Sequence, residues 1–133
     1  MFRIKYSREI ILKILYQIDV RKCEAAEAGP LIEEYFATFK RVNPDEEEFI
    51  GRMVQIVLDD KAEIDAKISA NLIDWKLNRL APIDRNLMRM GIAEATFNAE
   101  KPIIIDDVIR IAKKYSDSDS YKLINAILDK IIP

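Results

Sequence analysis

The stretch Trp75–Phe97, "WKLNRLAPIDRNLMRMGIAEATF", decides the fold of this chain. Pro82 can open a helix, because the first helical N–H has no partner within the helix to lose. After it, Ile83, Leu87, Met90, Gly91, Ala93, Ala95 and Phe97 supply an inner side, so the spacing predicts a helix from Pro82 onward. Gly91 and the alanines are small enough to admit a second helix at close range, which offsets the roughly 1 kcal/mol that glycine costs inside a helix. A helix of this kind belongs at the centre of a bundle. Just before it, Trp75, Leu77 and Leu80 predict a short irregular or helical segment, with Trp75 in the core.

Toward the C-terminus, Pro102 marks a new start. In "IIIDDVIRIAKKY" the three isoleucines imitate a strand, but Val108, Ile109, Ala112 and Tyr115 follow helical spacing from Asp106 onward, and the segment is read as helix. "SDSDS" is a polar turn and cap. Leu123, Ile124, Ile127, Leu128 and Ile131 then form a last helix.

Toward the N-terminus the grammar is similar. Ser7 is positioned as an N-cap for a first amphipathic helix carrying Ile10, Ile11, Ile14, Leu15 and Ile18, which is expected to end near Cys23. Gly29-Pro30 reads as the start of a second helix. Asn43-Pro44 starts a third, with four acids in its first turn, where the helix dipole favours negative charge. That dipole accounts for the acidic run better than a cation site does. Asp60 and Glu63 have capping-box spacing, so a junction is expected near Asp59. It would divide one domain, residues 1–133, into a three-helix half (about 1–59) and a four-helix half (about 60–133) sharing a core.

Composition agrees with an all-α class. With only 3 Gly and 5 Pro among 133 residues, the chain is poor in the turn residues that sheets need. The lone Cys23 rules out an internal disulfide, and the absence of histidine removes the usual proton relay and metal ligand. No glycine-rich phosphate loop, metal-ligand spacing or activated nucleophile can be assembled, so neither catalysis, nor a metal, nor a cofactor is expected. Asp106 with Asp107, and Asp117 with Asp119, are read as helix-start residues rather than acid–base pairs. Glu9 and Lys13 interrupt the apolar part of the first segment, and no small-residue cleavage site follows. Neither secretion nor membrane insertion is expected, and the cytoplasm is the expected location.

The net charge of -2 conceals an uneven distribution. The first 22 residues hold Arg3, Lys5, Arg8, Lys13, Arg21 and Lys22 against only Glu9 and Asp19, with Tyr16 among them. Near the other end stand Lys113, Lys114, Tyr115, Tyr121 and Lys122. Cations beside flat phenols suit single-stranded RNA, whose phosphates they neutralise and whose bases they stack against. Solvated helix faces have the same composition, so the pattern by itself leaves both readings open.

Three stretches taken together are more specific: "WKLNRLAPIDRNLMRMGIAEATF", "KPIIIDDVIRIAKKYSDSDSYKLINAILDKI" and, at the start, "SREIILKILYQID". In order and spacing they resemble the NusB family of bacterial transcription antitermination factors. The resemblance implies about seven helices in two packed bundles and a non-catalytic adaptor. It further implies that this adaptor binds boxA, a short single-stranded RNA, together with the ribosomal protein NusE in the RNA polymerase antitermination complex. Self-association of the free protein is left open.

Carried onto this chain, the RNA-binding set is Lys5, Arg8, Tyr16, Asp119 and Lys122, to which the basic pattern adds Arg3 and Lys13. Asp84 stands where the family directs a carboxylate toward NusE, with Arg85 beside it. Arg85 can equally be read as a partly buried arginine paired with a carboxylate between the helical halves. Ile4 and Tyr6 occupy places where the family often has arginines. Leu123 and Ala126 replace an aromatic and a glycine. Two further readings are an accessory domain of a ribosomal RNA cytosine methyltransferase, which this chain length disfavours, and a purely structural helical module.

Overall fold

The computed structural model describes residues 1–39 and 42–133. They form seven α-helices: α1 (Ile4–Val20), α2 (Ala25–Phe39), α3 (Pro44–Asp59), α4 (Lys61–Ala70), α5 (Pro82–Ala95), α6 (Lys101–Tyr115) and α7 (Ser120–Ile131). A 3-10 turn, Leu77–Arg79, precedes α5, and no strand occurs among the described residues. The fold is all-α, as the composition implied.

The helix read from Trp75–Phe97 is the axis of the molecule. Every residue from Asn86 to Glu94 in α5 is buried, and α5 packs against α1, α3, α4, α6 and α7. A helix covered on all sides is a core helix. Gly91 permits this: a Cβ built there would stand 3.1 Å and 3.3 Å from the two methyl carbons of Leu128 on α7.

In α1, Ile10, Ile11, Ile14, Leu15 and Ile18 are buried, while Lys5, Lys13 and Tyr16 are exposed. Its start departs from expectation. The helix begins at Ile4, and Ser7 is buried with its hydroxyl donating to the Arg3 carbonyl at 2.9 Å, an interior contact four residues back rather than a cap. The end of α1 is a Schellman motif. Lys22 N–H donates to the Asp19 carbonyl (3.1 Å) and Cys23 N–H to the Ile18 carbonyl (3.0 Å), with Lys22 at φ 55° where glycine is usual.

Helix α2 begins at Ala25, so Pro30 lies inside it rather than at its start. Proline cannot donate to the Ala26 carbonyl, but both residues are exposed and solvent can serve that oxygen. At α3 the expected cap is present. Asn43 accepts from Glu46 N–H and Glu46 accepts from Asn43 N–H, each at 3.0 Å, forming a capping box. The junction falls at Asp60, as expected, though its side chain makes no capping bond. Asp106 and Asp107 lie within α6, which starts at Lys101, so they are not at a helix start.

Trp75 is a correction. It is 60% exposed on the loop before the 3-10 turn, and the turn is anchored by Leu77 and Leu80 instead.

Candidate nucleic-acid interface

The basic N-terminal region and the basic C-terminal region meet because side chains of α1 reach across to α6. The link is Glu9 on α1, which accepts from Lys114 Nζ (2.8 Å), Tyr115 Oη (2.9 Å) and an Arg110 terminal nitrogen (3.0 Å), all on α6. Burial alone would push the Glu9 carboxyl up, but these donors outweigh it and hold it down to about 2. The carboxylate is therefore permanently charged near neutrality and fixes the Tyr115 ring. Lys13 Nζ stands 5.9 Å from the centre of that ring and Lys114 Nζ 5.2 Å from it. Lys113 Nζ lies 4.6 Å from the centre of the Tyr121 ring.

Between these groups runs a groove of about 720 Å³, lined by residues of α1, by Tyr35 of α2, by Ile83 of α5 and by Lys114 and Tyr115 of α6. Tyr6, Tyr16 and Tyr115 put phenols along it, and Lys13, Arg21 and Lys114 put cations at its margins. Burial raises the Tyr35 phenol above its usual pKa, keeping it neutral. Chemically the groove offers stacking surfaces and ammonium groups to an unpaired, polyanionic strand. Tyr16 is 38% exposed on it, and Lys13 is exposed beside it.

The other expected site residues are distributed as follows. Lys5 is exposed at the start of α1. Arg3 is also at the surface, but its guanidinium grips Glu46 (2.8 and 2.9 Å) and lies 4.3 Å from the centre of the Tyr6 ring. Asp119 and Lys122 are exposed at the start of α7 and pair at 3.5 Å.

Arg8 is the clear exception. It is 1% exposed, and its fork reaches Glu94 (2.6 and 2.9 Å) on α5 and Asp107 (3.0 Å) on α6. Its charge is spent inside the bundle, so the expectation that it meets phosphate is corrected. The sequence shows a cation at the edge of an apolar stripe but cannot show that two acids, 86 and 99 residues away, face it.

Asp84 and Arg85 are likewise turned inward. The buried Asp84 carboxylate accepts a hydrogen bond from the Ser116 hydroxyl at the end of α6. Arg85 holds Asp19 on α1 with two bonds (2.6 and 2.7 Å) and donates to the Leu80 carbonyl at 3.0 Å, which is the interhelical pairing open to it from the sequence. Asp19 also accepts from Asn86 (2.8 Å) and Arg89 (3.1 Å), and Arg89 holds Asp65 on α4. This network was not legible in the sequence. Among the described residues, no group of three metal-ligating side chains comes together, and no helix is long and apolar enough to cross a membrane.

An all-helical bundle with a basic, tyrosine-lined face is the class that this fold and face define. The NusB family profile matches residues 5–133, and the chain belongs to the NusB family. It is 33% identical over 128 residues to the transcription antitermination protein NusB of Syntrophomonas wolfei, covering 95% of this chain and 92% of that protein. To the protein of the same name from Elusimicrobium minutum it is 36% identical over 131 residues, covering 96% and 91%. Among solved structures, that of T. maritima NusB superposes with a TM-score of 0.82 at 29% identity, covering 98% of this chain and 91% of that one. A structure of antitermination factors NusB and NusE in complex with double-stranded RNA gives a TM-score of 0.85 at 28% identity, covering 96% and 94%.

Proposed function

We propose that this protein is a transcription antitermination factor that binds boxA-type single-stranded RNA together with ribosomal protein NusE, promoting ribosomal RNA transcription as a non-enzymatic adaptor in the cytoplasm. The observation that carries the reading is the likeness, over nearly the whole chain, to a NusB solved with NusE and RNA. The α1–α6 face supports it chemically. Exposed Lys5 and Lys13 of α1, with Lys122 at the start of α7, meet phosphate, and Tyr16 and Tyr115 offer rings to bases. With Arg8 internal and Arg3 engaged by Glu46, fewer cations face the strand than the sequence suggested, so NusE has a larger share in holding it. Arg85, through Asp19, and Asp84, through Ser116, act on the partner by fixing α5 against α1 and against the end of α6 rather than by free charge.

The test is a titration of boxA RNA, scrambled RNA and a boxA duplex, each with and without NusE and at two salt concentrations. Preference for single-stranded boxA, strengthened by NusE and weakened by salt, is expected. Equal binding of scrambled RNA in the presence of NusE would overturn the boxA assignment, and absence of any salt-dependent binding would leave a structural helical module.

A further inference from the structure

The loop between α4 and α5 exposes apolar surface that the α1–α6 face does not use. Asp74 is in the left-handed region at φ 64°, and both neighbours are open to solvent, Ile73 at 76% and Trp75 at 60%. An exposed indole offers a flat ring on which an unpaired base can stack. Cations accompany it. Lys76 leads into the 3-10 turn and Arg79 closes it, with Arg79 N–H donating to the Lys76 carbonyl at 2.9 Å. That hydrogen bond spans the turn, so its two exposed cations stand at the two ends of one short segment.

This loop is linked to the tyrosine-lined groove. A second cleft, of about 510 Å³, shares Val20 with the groove and is lined by Lys22, Glu24, Lys61 and Arg85 among others. Arg85 in turn donates to the carbonyls of Leu80 (3.0 Å) and Asn78 (3.5 Å), so the cleft adjoins the 3-10 turn. Of the two acids in the cleft, Asp19 is neutralised by Arg85 and Arg89, while Glu24 stands unpaired among Lys22, Lys61 and Arg85. Among the described residues, Arg21, Lys22, Lys61, Lys76 and Arg79 form no ion pair, and against the unpaired Glu24 and Asp74 they leave a net excess of cations from the groove to Trp75.

We propose that single-stranded RNA seated in the α1–α6 groove continues past the end of α1 to this loop, where Trp75 stacks on an unpaired base and Lys76 and Arg79 neutralise the adjoining phosphates. The inference rests on the RNA-binding reading above but concerns a separate surface. Trp75 is then a second stacking platform, and the protein holds a longer strand than its groove alone accommodates.

Trp75 is the only tryptophan in the chain, so its fluorescence reports on this surface alone. Two boxA strands are compared, one just long enough for the groove and one extended by unpaired uridines at either end, with wild-type protein, Trp75→Leu, Lys76→Gln/Arg79→Gln and, as a groove control, Lys13→Glu. The expected result has three parts: the extended strand alone quenches the indole, it binds about tenfold more tightly than the short one, and both loop variants lose that advantage while binding the short strand as wild type does. An extended strand that binds through the groove, with Lys13→Glu weakening it, but neither quenches Trp75 nor gains affinity overturns this inference and leaves the proposed function intact. Failure of both strands to bind removes both. Quenching by NusE without RNA would make the loop a protein contact and also overturn the inference.

Discussion

The guanidinium of Arg8 on α1 lies 2.6 Å from the Glu94 carboxylate of α5, and both side chains are almost wholly buried. The same guanidinium bridges to Asp107 on α6, so one arginine ties three helices together. Replacing one member of a buried ionic cluster leaves its partners without a counter-charge, which typically costs about 3–5 kcal/mol. Glu94 keeps Asn98 (2.8 Å) and Asp107 keeps Arg110 (2.6 Å) after Arg8→Met, placing the loss near about 3 kcal/mol, at the lower end of that range. Urea unfolding measures it. A variant as stable as wild type, or one that folds normally with a shallower salt dependence of RNA binding, would return Arg8 to the RNA surface.

Two carboxylates make stability depend on acid. The Arg3 guanidinium, with the N–H groups of Asn43 and Arg3, outweighs burial and holds Glu46 down to about 2, and Glu9 is held to about 2 as described. In the unfolded chain both carboxyls take up protons near 4.5. Because the unfolded state binds these protons first, their stabilising effect is complete well above that value and is lost as pH falls from about 4.5 to about 2. The urea midpoint should decline across this window, and Glu9→Gln/Glu46→Gln should flatten the decline. A wild-type midpoint unchanged down to about pH 2 would show that neither ion pair contributes.

Lys22 closes the Schellman motif at φ 55°, where its side chain is strained and glycine would not be. Lys22→Gly should stabilise the fold by about 1 kcal/mol, measured by thermal or urea unfolding. Lys22→Ala should give no such gain, since alanine meets the same restriction. Equal stabilisation by both would mean that charge rather than backbone conformation governs the position.

The α5–α7 contact at Gly91 tolerates little added volume. A Cβ would meet the buried Leu128 methyls at 3.1 Å, and a β-branched side chain would extend further into them. Gly91→Val should destabilise by about 1–3 kcal/mol, despite valine's better helix propensity, and Leu128→Ala in the same chain should recover part of that loss. Additive losses in the double variant would show that the two residues are not in contact.

What the sequence made legible follows the range of the interaction. Asn43-Pro44-Asp45-Glu46 shows its capping box directly, because donor and acceptor are three residues apart. Pro82, Gly91 and the apolar spacing of α5 likewise announced a central helix. Arg8, Asp19 and Glu9 did not declare their partners, which lie 66 to 106 residues away and are brought together only by the packing of α1 and α6 against α5. Arg8 was therefore read as an RNA-facing cation. Trp75 failed in the opposite direction: an aromatic residue is usually buried, and nothing local signals that Leu77 and Leu80 anchor the turn in its place.

The corrected RNA face makes a quantitative difference between lysines that look alike in the sequence. Lys5 and Lys13 are exposed on α1, and neither forms an ion pair among the described residues, whereas Lys114 is held by Glu9. A cation already neutralised within the protein releases few counterions when a phosphate arrives, so the free lysines should dominate the salt dependence. Lys5→Gln and Lys13→Gln should each reduce the slope of log affinity against log salt for single-stranded RNA by about 0.7, and the double variant by about twice that. Lys114→Gln should change the slope less while releasing Glu9 and loosening Tyr115, so its loss of affinity should persist at high salt. The inverse pattern, a large slope change for Lys114→Gln and none for the α1 lysines, would place the strand along α6 alone.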